Sequence, residues 1–235
     1  MQGWGCSCTP ELPCLPFDTA VPELASYMAA TATALRSLKG VAVAHSPMAP
    51  NGVRVITCCP KDPKRTCSDT PTPSIAWLDA LVATDAQLYH GVDWLASHSY
   101  PCEAPACGLA KDRPDGGWNA PFERAVPGLT LYRNESSAVG RQLPVIITET
   151  GWCHLSNANS TEVGEDLRGS YTVSAFKLWR ADPQVLAVTP FLLAGEQWEF
   201  PQGQGFPWMH ENGSAIGGAR GTYAQVAALA RGGDL

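Results

Sequence analysis

Glu149 is the residue whose type and setting most clearly suggest chemistry. Leu143 to Ile147 form a continuous apolar run, as expected of a parallel strand that is buried on both faces. The run ends at Thr148 and Glu149, and Gly151 then allows a sharp turn into a polar loop. A carboxylate at the C-terminal tip of such a strand is placed where (β/α)-barrel enzymes present catalytic groups. The Gly-Trp pair that follows favours this interpretation over a glutamate that caps the next turn.

Other predicted strands also end in residues that suit a polar site. His98-Ser-Tyr100 follows one short apolar strand, and His45 follows another. The loop after the last predicted strand contains Glu196 and Trp198. Because the C-terminal ends of parallel strands meet at one edge of a sheet, we expect these residues and Glu149 to share one face.

The apolar periodicity predicts the elements that must position these residues. Helices are predicted at 21–38, 74–88, 122–139 (broken near Pro127-Gly128), 162–180 and 222–231. Strands are predicted at 41–44, 92–96, 143–147 and 185–188 continued by 191–193, with a small extra strand at 53–57. This alternation favours an α/β fold with a parallel sheet. Only four core strands are convincing, whereas a (β/α)8 TIM barrel has eight. We therefore expect residues 1–235 to be one barrel domain that covers about four C-terminal βα units and is truncated at its N-terminus.

The composition and the missing motifs exclude several function classes. Charged residues make up 16% of the chain, the net charge is -6, and no Lys/Arg run occurs, so nucleic acid is not an expected partner. No apolar run approaches the ~20 residues that span a bilayer, so no membrane association is expected. The sequence lacks a Gly-x-Gly-x-x-Gly phosphate loop, a Gly-x-Ser-x-Gly elbow and metal-binding cysteine spacings. We expect no cofactor and no metal, and a serine or cysteine hydrolase finds no support.

The cysteines and glycosylation sequons indicate an oxidising, secretory environment. Nine cysteines fall in the N-terminal segment and in loops after strands, and Asn-x-Ser/Thr sequons begin at Asn134, Asn159 and Asn212. We expect disulfides to brace the face that carries the strand C-termini. Residues 1–20 lack the charged and apolar regions of a signal peptide. The prediction is a secreted or cell-wall glycoprotein whose natural start lies upstream of Met1.

The strand ends together resemble the C-terminal half of a clan A glycoside hydrolase, a group of retaining (β/α)8 enzymes that includes cellulases, mannanases and β-1,3-glucanases. Ile147-Thr-Glu149-Thr-Gly-Trp152 resembles the surroundings of the nucleophile that ends strand seven in that clan. His98-Ser-Tyr100 is similar to the His-x-Tyr at the end of strand six. The architecture is similar over roughly residues 20 to 232, but only these strand ends match at the level of a motif.

This resemblance implies retaining hydrolysis of β-glycosidic bonds in a poly- or oligosaccharide, with β-glucan favoured over mannan or galactan. Glu149 would be the nucleophile. Tyr100, from the neighbouring strand, would donate a hydrogen bond that keeps Glu149 ionised and aims it. His98 would bind a sugar hydroxyl or orient Tyr100, the alternative being a core histidine.

Other residues are predicted to bind the sugar chain. Trp198 resembles the aromatic residue that floors the cleaved subsite in clan A, and Trp152 would supply a second stacking surface. Glu196 would contact sugar hydroxyls, and His45 is a further subsite candidate. The alternatives are that the tryptophans are core residues and that Glu196 is a solvated loop carboxylate.

The sequence departs from the clan at the general acid/base. Clan members carry this glutamate after an asparagine at the end of strand four, and no such pair precedes the first predicted helix here. Glu11 lies near the expected place but has no strand in front of it. We expect the acid/base upstream of Met1, and therefore little activity from this chain alone. The alternative is a non-catalytic carbohydrate-binding or degenerate half-barrel relative, and the oligomeric state stays open.

Overall fold

The structure is a computed structural model of the 235-residue chain. It describes residues 17–45, 53–54, 71–72, 74–101, 120–152, 154–155, 164–191, 193–194 and 204–232. All nine cysteines lie outside these ranges, as do Glu11, Glu196 and Trp198. The predicted disulfides and the predicted roles of Glu196 and Trp198 therefore stay predictions.

Helices and strands alternate along much of the described chain. The α-helices in these ranges are α1 (Phe17–Arg36), α2 (Ser74–Thr84), α3 (Phe122–Leu129), α4 (Leu131–Ala138), α5 (Glu165–Arg180) and α6 (Thr222–Arg231). The strands are β1 (Val53–Arg54), β2 (Pro71–Thr72), β3 (Leu95–His98), β4 (Val145–Glu149), β5 (His154–Leu155), β6 (Val185–Val188) and β7 (Gln204–Gly205). Short 3-10 turns cover Leu88–Gly91 and Gly218–Arg220. The helix predicted at 222–231 is confirmed at both ends, and the other predicted helices differ by a few residues or are divided.

The chain divides into two compact units. Unit 1 comprises Met1–Ala96 and Arg133–Pro144, and unit 2 comprises Ser97–Tyr132 and Val145–Leu235. Strand β3 and helix α4 therefore contribute residues to both units. Glu149, His98 and Tyr100 belong to unit 2, whereas His45 belongs to unit 1.

In unit 1, α1 packs against α2 and the 3-10 turn Leu88–Gly91. One face of α2 is fully buried, with Trp77, Leu78 and Leu81 almost inaccessible to solvent. Such burial stabilises the unit by about 1.5–3 kcal/mol for each large apolar side chain.

The strand predicted at 41–44 is reduced to a single parallel bridge between Ala44 and Trp94. The cause is the Asp93 side chain, whose Oδ2 accepts the Val43 N–H at 2.8 Å. The carboxylate takes a backbone donor that a longer strand would use in its ladder. The segment therefore follows the neighbouring chain without becoming a regular strand.

The helix predicted at 122–139 is divided into α3 and α4 at Thr130, not at Pro127-Gly128 as expected. Pro127 lies inside α3. Thr130 leaves the helical region with φ -109° and ψ 19°, and its hydroxyl donates to the Val126 carbonyl at 2.8 Å. This local bond competes with helix continuation, as hydroxyl side chains often do.

Unit 2 contains the sheet that carries Glu149. The strand order is β3-β4-β6, and β4 pairs with β6 in parallel, with Ile147 opposite Val188. Val145 and Ile147 are fully buried, as the apolar run predicts. The predicted parallel sheet is confirmed, and Glu149 is the last residue of β4.

Candidate functional site

Glu149 lies at the C-terminal end of β4, beside the end of β3 at His98. The Glu149 side chain is 36% exposed, whereas that of His98 is 11% exposed. A carboxylate that is partly open to solvent on a buried strand is accessible to a ligand and held by rigid backbone.

Within the His98-Ser-Tyr100 segment, the side chains of His98 and Tyr100 lie near the same oxygen of Glu149. The Tyr100 hydroxyl donates to Glu149 Oε2 at 3.2 Å, and His98 Nδ1 lies 3.4 Å from that oxygen. The predicted contact between Tyr100 and Glu149 is therefore present, while the catalytic roles stay predictions. Within the described residues, both of these contacts are to Oε2 of the Glu149 carboxylate.

His98 is held largely as neutral imidazole. Burial lowers the pKa of His98, and the nearby Glu149 carboxylate opposes this effect in part. Near neutral pH the contact is therefore between a neutral ring and a carboxylate, with the tautomer protonated on Nδ1 able to donate. Glu149 thus faces one hydroxyl donor, Tyr100, and the uncharged ring of His98.

An aromatic cluster and a buried arginine support Tyr100. Tyr100 packs edge-on against Phe206 with ring centroids 5.8 Å apart, and Phe206 packs in the same way against Phe191 at 5.6 Å. Arg168 in α5 donates to the Pro207 carbonyl at 2.8 Å and to Thr222 Oγ1 at 3.0 Å. This bonding fixes the segment that carries Phe206.

The sequence did not reveal these supporting residues. Phe191 and Phe206 lie in irregular segments without periodicity, so nothing marks them as neighbours of Tyr100. Arg168 falls within the predicted helix at 162–180. A charged residue on an otherwise buried helix face was the signal in the sequence that could have indicated a structural role for Arg168.

Trp152 does not have the exposure that its predicted stacking role requires. Its side chain is 2% exposed, and its Nε1 donates to the Ala120 carbonyl at 2.9 Å. Its ring also lies 5.7 Å from that of Tyr171 in α5. The stacking prediction is therefore corrected, because a ring that is covered and hydrogen-bonded on the protein side offers no face to a sugar. Trp152 is a core residue of unit 2.

His45 also differs from its predicted role in sugar binding. It is 4% exposed and lies in unit 1, with its ring centroid 5.4 Å from that of Tyr89. Burial lowers the pKa of His45 to about 4, and neither of its ring nitrogens has a hydrogen-bond partner among the described residues. A ring so enclosed does not present its nitrogens to a ligand, so the subsite prediction for His45 is corrected.

The buried His45 predicts a loss of stability in acid. The pKa of about 4 lies below its ordinary value of 6.5, so between these pH values the unfolded chain binds a proton that the folded chain does not. As the pH falls from 6.5 to 4, the free energy of unfolding should fall by up to about 3 kcal/mol.

The variant His45→Gln should reduce this pH dependence of the free energy of unfolding, measured by urea titrations at pH 7 and pH 4.5. The exposed His90 of the same unit serves as the control, since His90→Gln should keep the wild-type dependence. Equal pH dependence in wild type and His45→Gln would contradict the prediction.

Other classes of site receive no support from the described part of the chain. Within the described ranges, no group of three or more His, Cys, Asp or Glu residues is arranged to hold a metal ion. None of the helices in these ranges is both long enough and apolar enough to cross a membrane.

The fold belongs to the α/β class. The position of the Glu149 carboxylate is typical of this class, in which parallel strands present polar groups at their C-terminal ends. A GH128 (subgroup V) exo-β-1,3-glucanase from Cryptococcus neoformans is similar in structure, with a TM-score of 0.50 and 15% sequence identity. The similarity covers 86% of this chain and 63% of the glucanase. At this identity the likeness shows a shared fold, which in the glucanase is that of a TIM barrel.

Two further solved glycoside hydrolases align with lower scores. A family 51 α-L-arabinofuranosidase from Bifidobacterium longum has a TM-score of 0.49 and 12% identity, over 90% of this chain and 40% of its own. A monomeric β-xylosidase from Caulobacter crescentus CB15 has a TM-score of 0.40 and 12% identity, over 92% of this chain and 47% of its own. This chain thus spans less than two thirds of each of these structures. No protein-family profile and no curated protein matches the sequence.

Proposed function

We propose that this chain is part of a retaining glycoside hydrolase in which Glu149 is the nucleophile. One observation carries the proposal: Glu149 ends a buried parallel strand, and Tyr100 and His98 both engage its Oε2. These contacts hold the carboxylate through Oε2, and we assign its other oxygen, Oε1, to the attack. The shared fold with a glycoside hydrolase supports the proposal.

The chemistry follows from the two oxygens of the carboxylate. Glu149 Oε1 attacks the anomeric carbon as the bond to the leaving oxygen breaks, which gives a covalent glycosyl ester on Glu149. The hydrogen bond from the Tyr100 hydroxyl to Oε2 limits rotation of the Glu149 side chain. Water then cleaves the ester and regenerates the carboxylate.

A retaining mechanism also needs a general acid/base about 5–5.5 Å from the nucleophile. The side chains recorded against Glu149 in the described ranges are Tyr100 and His98, and neither is a carboxyl group. We place the acid/base outside the described residues, and we assign the described chain to about four C-terminal βα units of a barrel.

The proposed substrate is a β-linked glucan. The solved glucanase is named for β-1,3-linked glucan, which makes this linkage the first to test. We also propose that the protein is secreted and glycosylated. In the structure, Asn134 and Asn212 are exposed, so a glycan on either asparagine would extend into solvent.

Covalent trapping tests the proposal directly. 2-Deoxy-2-fluoro-β-glucosyl fluoride and its β-1,3-linked disaccharide analogue carry a leaving group that needs little protonation, so a missing acid/base should not block their reaction. We expect the chain to gain the mass of one fluoroglycosyl group, and peptide mass spectrometry should place it on Glu149. Pre-incubation with a β-1,3-glucan oligosaccharide should slow the labelling, because substrate and reagent compete for one site.

Two other outcomes would contradict the assignment. Labelling at a different carboxylate would retain a glycosidase but reject Glu149 as its nucleophile. Measurable binding of the oligosaccharide by calorimetry without any labelling would favour a non-catalytic carbohydrate-binding protein.

A further inference from the structure

Hydroxyl residues alternate with the site residues at the ends of β3 and β4. Along one segment the order is Ser97, His98, Ser99, Tyr100, and along the other Glu149 lies between Thr148 and Thr150. Ser97, Ser99 and Thr150 are buried, each 2% exposed or less. Buried hydroxyl groups need partners, so their bonds indicate what they do.

Thr150 makes the shortest hydroxyl bond in this region. Its Oγ1 donates to the Ser99 carbonyl at 2.6 Å, and its own carbonyl accepts the Phe191 N–H at 2.8 Å. The residue after Glu149 is thus tied on one side to the residue between His98 and Tyr100, and on the other to the segment after β6.

The hydroxyl bond lies where the regular ladder has ended. β3 ends at His98 and β4 ends at Glu149, so Ser99 and Thr150 are just beyond the two strands. Thr148, the threonine before Glu149, makes a longer bond of the same kind, because its Oγ1 lies 3.4 Å from the Ser97 carbonyl. The Thr150 side chain therefore continues the link between the two segments past the last backbone pairing.

We propose that Thr150 is a positioning residue, whose hydroxyl bond to the Ser99 carbonyl holds Glu149 within hydrogen-bonding distance of Tyr100. The proposal deepens the function proposed above and rests on it for its effect on catalysis. Its geometric part stands on the contacts alone.

The hydrogen bond between Tyr100 and Glu149 tolerates little displacement of the two strand ends. The Tyr100-to-Glu149 bond is 3.2 Å long, and hydrogen bonds weaken rapidly beyond about 3.5 Å. A shift of a few tenths of an ångström between the two strand ends would therefore weaken the contact. Small displacements of catalytic groups can lower rates by up to about 10²-fold.

Two matched pairs of variants isolate the hydroxyl group. Thr150→Val replaces the hydroxyl with a methyl group of similar size, and Thr150→Ser keeps the hydroxyl. If the valine variant does not fold, Thr150→Ala can be compared with Thr150→Ser, since these differ only in the hydroxyl. Thr172→Val is the control, because Thr172 is also buried and donates to a carbonyl, that of Arg168, at 2.8 Å but within α5.

With an activated aryl β-glucoside as substrate, kcat/KM reports formation of the glycosyl ester, and we expect Thr150→Val to lower it by about 10-fold. Thr150→Ser should recover most of the loss, and Thr172→Val should retain the wild-type kcat/KM. Equal kcat/KM values for Thr150→Val and Thr172→Val would overturn the proposal.

A second measurement tests the geometry without any turnover. The pKa of His98, followed by NMR of its ring, depends on the nearby Glu149 carboxylate, which raises it against the effect of burial. If Thr150→Val moves Glu149 away, the His98 pKa should fall below its wild-type value, while Thr150→Ser and Thr172→Val should leave it unchanged. An unchanged His98 pKa in folded Thr150→Val would overturn the positioning role. A shifted His98 pKa in a chain that the fluoroglycosyl fluorides do not label would retain the positioning role and reject the proposed function.

Discussion

Replacing Glu149 with glutamine should lower kcat/KM for an activated aryl β-glucoside by about 10⁴-fold, or about 5 kcal/mol in the activation free energy. The reason is that a neutral amide cannot form the glycosyl ester that a carboxylate oxygen forms. Tyr100 should still donate to the amide oxygen that replaces Oε2, so the fold around the site should be preserved. A dinitrophenyl leaving group makes the assay independent of the general acid.

The matched control is Glu123→Gln. Glu123 is exposed in the first turn of α3 and belongs to the same unit. This variant should retain wild-type activity, and both variants should show the wild-type melting temperature within about 2 °C. Normal turnover in folded Glu149→Gln would reject the nucleophile assignment.

Gly151→Ala should destabilise unit 2 and disturb the site at the same time. Gly151 has φ 146°, a conformation that a side chain rarely adopts, and a Cβ atom there would lie 3.0 Å from the Phe191 carbonyl oxygen. The strain and the close contact together should cost about 3 kcal/mol, which corresponds to a fall of about 6–12 °C in melting temperature. Because Gly151 follows Glu149 by two residues, labelling of Glu149 should also slow.

Gly213→Ala separates the effect of backbone strain from that of the close contact with Phe191. Gly213 also has a positive φ, 82°, but a Cβ atom there would meet nothing within 4 Å. Its replacement should cost only about 1 kcal/mol and leave the labelling rate unchanged. Both variants can be compared by thermal melting followed with circular dichroism. An equal fall in melting temperature for both variants would mean that the contact with Phe191 has no measurable effect.

The sequence predicted the parallel sheet and the tip of β4 well because a long apolar run has few alternatives. A run from Leu143 to Ile147 that stops at two polar residues defines a buried strand and its end. The sheet and the strand end rest on periodicity, which depends only on the local chain. The contact of Tyr100 with Glu149 was instead implied by the resemblance to clan A glycoside hydrolases.

Predictions that depended on burial were less successful. His45 and Trp152 each follow an apolar segment, as exposed site residues do, yet both are covered by other parts of their units. Whether a strand-end residue is open or closed depends on distant segments, and local pattern does not contain that information. The prediction of a strand at 41–44 was wrong for a similar reason, since the Asp93 carboxylate binds the Val43 backbone N–H.

The protonation state of His98 has a consequence for the charge of the site. Glycoside cleavage passes through an oxocarbenium-like transition state, in which positive charge develops on the sugar ring. An imidazolium next to Glu149 would cancel much of the carboxylate's field, but burial keeps the ring neutral, and Tyr100 is neutral as well. If Glu149 is the nucleophile as proposed, the Tyr100 hydrogen bond therefore orients the carboxylate without neutralising it, and its negative charge would face the developing cation.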